Sequence, residues 1–156
     1  RTPLHLRLAE VKQVVSLATA VLREAKQKVS VVIWTDGVPD KRKAFEKALR
    51  ELMRYPVSVT VRLCTSDEEV IEYYSELDSE VSAPLEVLDD LRSEAIEVSH
   101  CNPWLTYAPP LHMVRELGVV HPLIDALDER KLRVGEMKEF IELLLGSPAP
   151  LPEPLE

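Results

Sequence analysis

Three apolar runs of strand length recur along the chain, VSVVIW at Val29–Trp34, VSVTVRL at Val57–Leu63 and LEVL at Leu85–Leu88. Parallel strands cannot be joined by a tight turn and need a crossover of a dozen or more residues, usually a helix. The segments between these runs have helical periodicity. Phe45, Leu49 and Leu52 or Met53 recur on one face of a helix expected from Asp40 to Arg54, which Tyr55-Pro56 ends. Ser66 with Glu69 reads as a capping box opening a helix from Asp67 to about Ser79. Leu91 to about His100 reads as another. A long helix, Leu4 to about Gln27, comes first, with Thr2 at its N-cap and Pro3 in its first turn. This alternation predicts an α/β fold built on a mostly parallel sheet flanked by helices.

The runs differ in what they predict about burial. Val29–Trp34 is apolar on both faces, the pattern of a central strand covered on both sides. Such a strand should pair twice, once with Val57–Leu63 and once with an upstream segment or another chain, because an open apolar edge invites aggregation. Val57–Leu63 alternates, with Ser58, Thr60 and Arg62 on a face expected to be less buried. In the first helix, Leu4, Leu8, Val11, Val15, Ala18 and Leu22 form a stripe that Leu6, Val14, Leu17 and Val21 widen. A stripe that wide predicts a helix well covered by neighbours.

After Asn102-Pro103 the chain changes character. NPWLTYAPPLHMVRELG leads into a short helix over Leu111–Leu117 that Gly118 ends, followed by helices at Pro122–Leu127 and at 134–145, the last closed by Gly146. The tail SPAPLPEPLE is Pro-rich and reads as extended. The expected organisation is an α/β domain over 1–101, a small helical extension over 102–146 and a Pro-rich tail over 147–156.

Composition narrows the function. The chain has 156 residues, 46% of them apolar, enough for a core. Its net charge of −8 argues against a nucleic-acid surface resting on bulk positive charge. No apolar run approaches the ~20 residues that span a bilayer. Cys64 and Cys101 read as free thiols of a reducing, intracellular compartment. The sequence opens at Arg1 without Met, which we read as a processed or truncated terminus, so an organelle stays open as the location. Four glycines make a phosphate cradle a poor expectation, and there is no nucleophile elbow. His100, Cys101, His112 and His121 have no metal-ligand spacing.

In open parallel sheets, ligands sit outside the carboxyl ends of the strands. Asp36 lies there, in WTDGVP, where it reads either as a ligand to a cation or water or as a turn acid capping the next helix. Asp89-Asp90 ends the third run, where such acids mostly begin the next helix. A helix opening with TPL, an apolar strand and TDG, in that order, resembles the second half of a von Willebrand factor A domain. The resemblance covers roughly residues 1–101. It implies a Rossmann-like sheet in which VSVVIW is the fourth strand, lying between the first and the fifth, with VSVTVRL fifth and LEVL sixth. It further implies that Thr2 and Asp36 are two pieces of a metal-ion-dependent adhesion site, with Mg²⁺ as the expected ion. The third piece, Asp-x-Ser-x-Ser, is absent; LDSEVS at Leu77–Ser82 has the wrong spacing. Thr2 also reads as an N-cap alone. A complete metal site therefore needs segments outside this chain.

The functional expectation is a non-enzymatic protein–protein interaction or scaffold module. The alternatives are a structural subunit of a large assembly with a degenerate, metal-free site, and an α/β enzyme of another family. Trp104 and Tyr107 are candidate partner anchors, or aromatics packing back under their own loop. DEEVIEYYSELDSE reads as a solvated helix face with Tyr73 and Leu77 on its inner side.

Overall fold

The computed structural model describes residues 3–81, 85–119 and 121–146. Thr2 and the Pro-rich tail lie outside the described residues. The elements in order are α1 (Leu4–Glu24), β1 (Val29–Thr35), α2 (Arg42–Leu52), β2 (Val57–Leu63), α3 (Glu68–Glu80), β3 (Leu85–Leu88), α4 (Leu91–Cys101), α5 (Pro109–Glu116), α6 (Pro122–Glu129) and α7 (Val134–Leu145). The three strands form one parallel sheet in the order β1-β2-β3, with Val29 opposite Val57 and Val59 opposite Leu85. The class is α/β, a parallel sheet flanked by helices.

The described residues cluster into two units. One holds the chain up to Asp90 together with Met113–Val119; the other holds Leu91–His112 and the residues from His121 onward. The expected boundary at 101 therefore falls earlier, because α4 packs with α6. Part of the expected helical extension, Met113–Val119, belongs with the sheet.

In the sheet unit, one face carries Val57, Val59, Val61 and Leu63 of β2, all nearly inaccessible. Phe45, Leu49 and Leu52 of α2, Val70, Tyr74 and Leu77 of α3, and Leu8 and Val15 of α1 join them in one apolar cluster. Period-2 side chains from strands and period-3.6 side chains from helices meet there, which is why the crossover helices form where they do. Asp67 caps α3, its Oδ1 accepting from Glu69 N at 3.0 Å, while Thr65 Oγ1 accepts from Asp67 N. The cap thus falls one residue later than the Ser66 box expected from sequence.

β1 has one strand neighbour within the described residues, β2; its other side, expected to pair with an upstream segment or another chain, is open, and Trp34 is 63% exposed. Two expectations about burial change. In α1 only one side of the apolar stripe is covered; Leu6, Val14, Leu17 and Val21 are exposed. The polar face of β2 is the reverse case, since Ser58 and Thr60 are buried. Residues 113–119 explain this. Arg62 Nε donates to Glu116 Oε1 at 2.6 Å, Arg115 Nε donates to Glu86 Oε1 at 3.0 Å, and Ser30 Oγ donates to Leu117 O at 3.1 Å. Arg62, Glu86 and Ser30 are thus met by polar groups from a distant segment, whereas the buried Thr60 Oγ1 has no hydrogen-bond partner among the described residues.

Gly118 makes that approach feasible. Its φ is +74°, and a Cβ placed there would stand 1.9 Å from Ser30 Oγ. Gly118→Ala would meet left-handed strain and force Ser30 off its bond to Leu117, at an expected cost of roughly 2 kcal/mol. A urea titration followed by far-UV circular dichroism checks this, and a midpoint equal to wild type would show that the segment can back away.

The helical unit buries Val98, Ile124, Leu127, Leu132 and Phe140. α7 opens with Glu136 reaching back to its own N-cap, where Arg133 N donates to Glu136 Oε2 at 2.8 Å. Arg130 grips both oxygens of the same carboxylate at 2.8 and 2.9 Å. The Arg130 bonds, then the Arg133 amide, pull the Glu136 carboxyl down to about 2. Gly146, at φ +56°, closes the helix as its sequence position predicts.

Candidate interaction site at the open edge of the sheet

Alternate residues of a parallel strand hydrogen-bond to alternate sides. Val29 N donates to Pro56 O at 2.9 Å, and Thr35 O accepts from Cys64 N at 2.8 Å. Odd-numbered residues of β1 therefore serve β2. The N–H and C=O groups of Ser30, Val32 and Trp34 point to the other side, where no described residue pairs with them. Backbone groups left in that state are a template for an added strand. Trp34 adds a large exposed ring to the same strand.

The carboxyl end of β1 turns at Thr35-Asp36-Gly37. Thr35 Oγ1 donates to Gly37 O at 2.8 Å and accepts from Gly37 N at 3.3 Å, and the buried Tyr74 hydroxyl also donates to Gly37 O. Thr35 therefore does the turn-closing work that the sequence offered to Asp36. Asp36 is exposed, and its carboxylate has no hydrogen bond or ion pair among the described residues. It does not cap α2, whose cap position is Lys41 with no side-chain hydrogen bond. Mg²⁺ prefers six oxygens in octahedral array. Asp36 offers one carboxylate, and Thr2, its expected companion, lies outside the described residues.

Trp104 and Tyr107 are placed in the helical unit. Tyr107 is buried, with its hydroxyl 3.1 Å from His112 Nδ1. That removes it as a docking anchor, because its polar tip and its ring are both used inside the unit. Trp104 stands edge-on to Phe140 with 6.1 Å between centroids, and Nε1 donates to Asn102 Oδ1 at 3.1 Å. Trp104 remains 38% exposed.

Two groupings escaped the sequence reading. Glu94 and Glu97 of α4 and Asp128 of α6 place one ligand oxygen each within 4.8 Å of one another, and Glu94 is buried. Three carboxylates supply half of an octahedral shell, and all three also interact elsewhere in the chain. The i, i+3 spacing of Glu94 and Glu97 was visible, but nothing local pointed to Asp128. The second grouping is a set of cations along α1 and α2. Cys64 and Cys101 are free thiols, as expected, and Cys101 Sγ lies 3.0 Å from Asp128 O. Among the described residues no helix is long and apolar enough to cross a membrane. No protein-family model, curated protein or solved structure matches this chain.

Proposed function

We propose that the chain is a non-enzymatic protein–protein interaction module whose sheet is completed at β1 by a strand from a protein partner. The observation that carries this reading is the unpartnered outer edge of Ser30, Val32 and Trp34. An edge strand with apolar residues on both faces is a hazard that proteins normally cover. The exposed Leu6, Val14, Leu17 and Val21 of α1 support the reading, as a second exposed apolar surface. The von Willebrand factor A-like reading adds a further reason, since it puts the family's first strand beside this one. On that reading Asp36 and Thr2 would contribute a carboxylate and a hydroxyl to a metal whose other oxygens come from the partner.

Val32→Pro tests the proposal. Its N–H lies on the side away from β2, so proline removes the donor a new strand needs and leaves the existing ladder intact. In the native complex, the Val32 and Trp34 amides should exchange with solvent more than about tenfold slower than in the isolated chain. Val32→Pro should abolish co-purification of the partner, whereas Lys131→Gln, in the helical unit, should keep it. Co-purification unchanged by Val32→Pro, or amides equally fast in both states, would reject the strand-addition reading.

A further inference from the structure

The chain is acidic overall, yet one open groove on the sheet unit gathers six of its nineteen cations and only two of its twenty-seven acids. Lys12 and Arg23 of α1 contribute, with Lys43, Lys47 and Arg50 of α2 and Arg54 just past its end. The groove has a volume of about 660 Å³, and Tyr55 closes part of its lining. That size lies within the roughly 300–1,000 Å³ of small-ligand sites.

The α2 cations fall at i, i+4, i+7 and i+11, so they share one helix face. Phe45, Leu49 and Leu52, fully buried, occupy the opposite face. Folding therefore explains the apolar stripe but not the cationic one. Like charges at these spacings on one helix repel one another. Two of the six have partners: Lys12 Nζ sits 2.6 Å from Glu51 Oε2, and Arg50 Nη2 lies 3.5 Å from Glu80 Oε2. Arg23, Lys43, Lys47 and Arg54 have no ion pair among the described residues.

We propose that this groove binds a compact small molecule bearing two or more phosphate groups. Guanidinium forks and ammonium groups converging from two helices match clustered phosphate oxygens. The surroundings set the ligand's size. Beside α2 lies α3, which carries exposed Glu68, Glu69, Glu72, Glu76 and Glu80. Arg42–Glu69 and Arg50–Glu80 contacts tie the two helices together. An extended polyanion continuing past the groove would run over this acidic face and be repelled. A compact polyphosphate keeps its charge within reach of the cations.

Inorganic tripolyphosphate is the probe, titrated into the full chain at low salt and followed by calorimetry and amide chemical shifts. The expected result is one-to-one saturation, with shifts centred on Lys43, Lys47, Arg50, Arg54 and Tyr55. Lys47→Gln with Arg54→Gln should weaken binding by at least about tenfold. Both residues are exposed, so the double variant should keep its far-UV spectrum and melting temperature. Lys131→Gln, exposed in the helical unit, should bind as wild type does. Absence of saturation, orthophosphate binding as tightly, or a double variant binding as tightly would each overturn the proposal. So would tighter binding of an oligonucleotide or a glutamate-rich helical peptide in the same buffer, since either would make the groove a macromolecular site.

Discussion

Asn102→Asp is expected to unfold the helical unit well before the wild-type chain unfolds, although the two side chains have nearly the same shape. Asn102 is fully buried. Its Nδ2 donates to Leu127 O at 2.8 Å and to Arg130 O at 2.9 Å. Its Oδ1 accepts from Leu132 N at 2.9 Å and from Trp104 Nε1 at 3.1 Å. Two carbonyls on one side and two N–H groups on the other fix the amide's orientation without ambiguity. One side chain thereby joins the end of α4, the end of α6, the link into α7 and the Trp104 ring. Aspartate would turn a carboxylate oxygen toward two carbonyl oxygens and place a charge where water does not reach. Asn102→Leu would instead strand the Leu132 N–H and two carbonyls. Either change should cost about 3–4 kcal/mol, since an orphaned buried polar group costs roughly 1–3 kcal/mol. Urea unfolding followed by Trp104 fluorescence in a Trp34→Phe background isolates this unit. A loss below about 1 kcal/mol for Asn102→Asp would mean that water reaches the amide and that the hub does not hold the unit together.

The contrast between Asn102 and the strands shows what a sequence of this kind reveals. The strand bounds of β2 and β3 follow from local alternation and length, and Gly146 announces the end of α7 through its conformational freedom. Asn102-Pro103 reads correctly as a break in periodicity. Its four partners, however, lie 2, 25, 28 and 30 residues away. No local pattern encodes such a set. β1 raises a related point. An apolar run looks the same whether its second neighbour is in the same chain, in another chain or missing, so composition cannot distinguish a central strand from an uncovered edge. Thr35 and Asp36 are adjacent candidates for one turn, and only geometry assigns the closure to the hydroxyl. The cations of α2 were in plain view within DKRKAFEKALRELMR, but acids are interleaved with them, and only the helical register collects the cations on one face.

Arg115→Leu is expected to be the most damaging single change to the polar layer over the sheet. Arg115 is 4% exposed, and its Nε and Nη2 reach Glu86 Oε1 at 3.0 and 2.5 Å. The side chain of Glu86 is about one-fifth exposed. Removing one member of a largely buried pair leaves the other charge poorly solvated, which costs more than the pair contributes when whole. With a discount for the access of Glu86 to water, the loss should be about 3 kcal/mol. Glu86→Leu should cost a similar amount, because it leaves a guanidinium even less exposed than the carboxylate. The double variant should lose clearly less than the two single losses combined, since neither charge is then left behind. Hydrogen exchange at the β2 amides, which sit under this layer, reads the effect in the sheet unit. If the two single losses simply add, Arg115 and Glu86 are held by separate partners, and Arg62 with Glu116 is then the contact that fixes residues 113–119 over Ser58 and Thr60. If they do not add, the Arg115–Glu86 pair is what converts the polar face of β2 into an interior one.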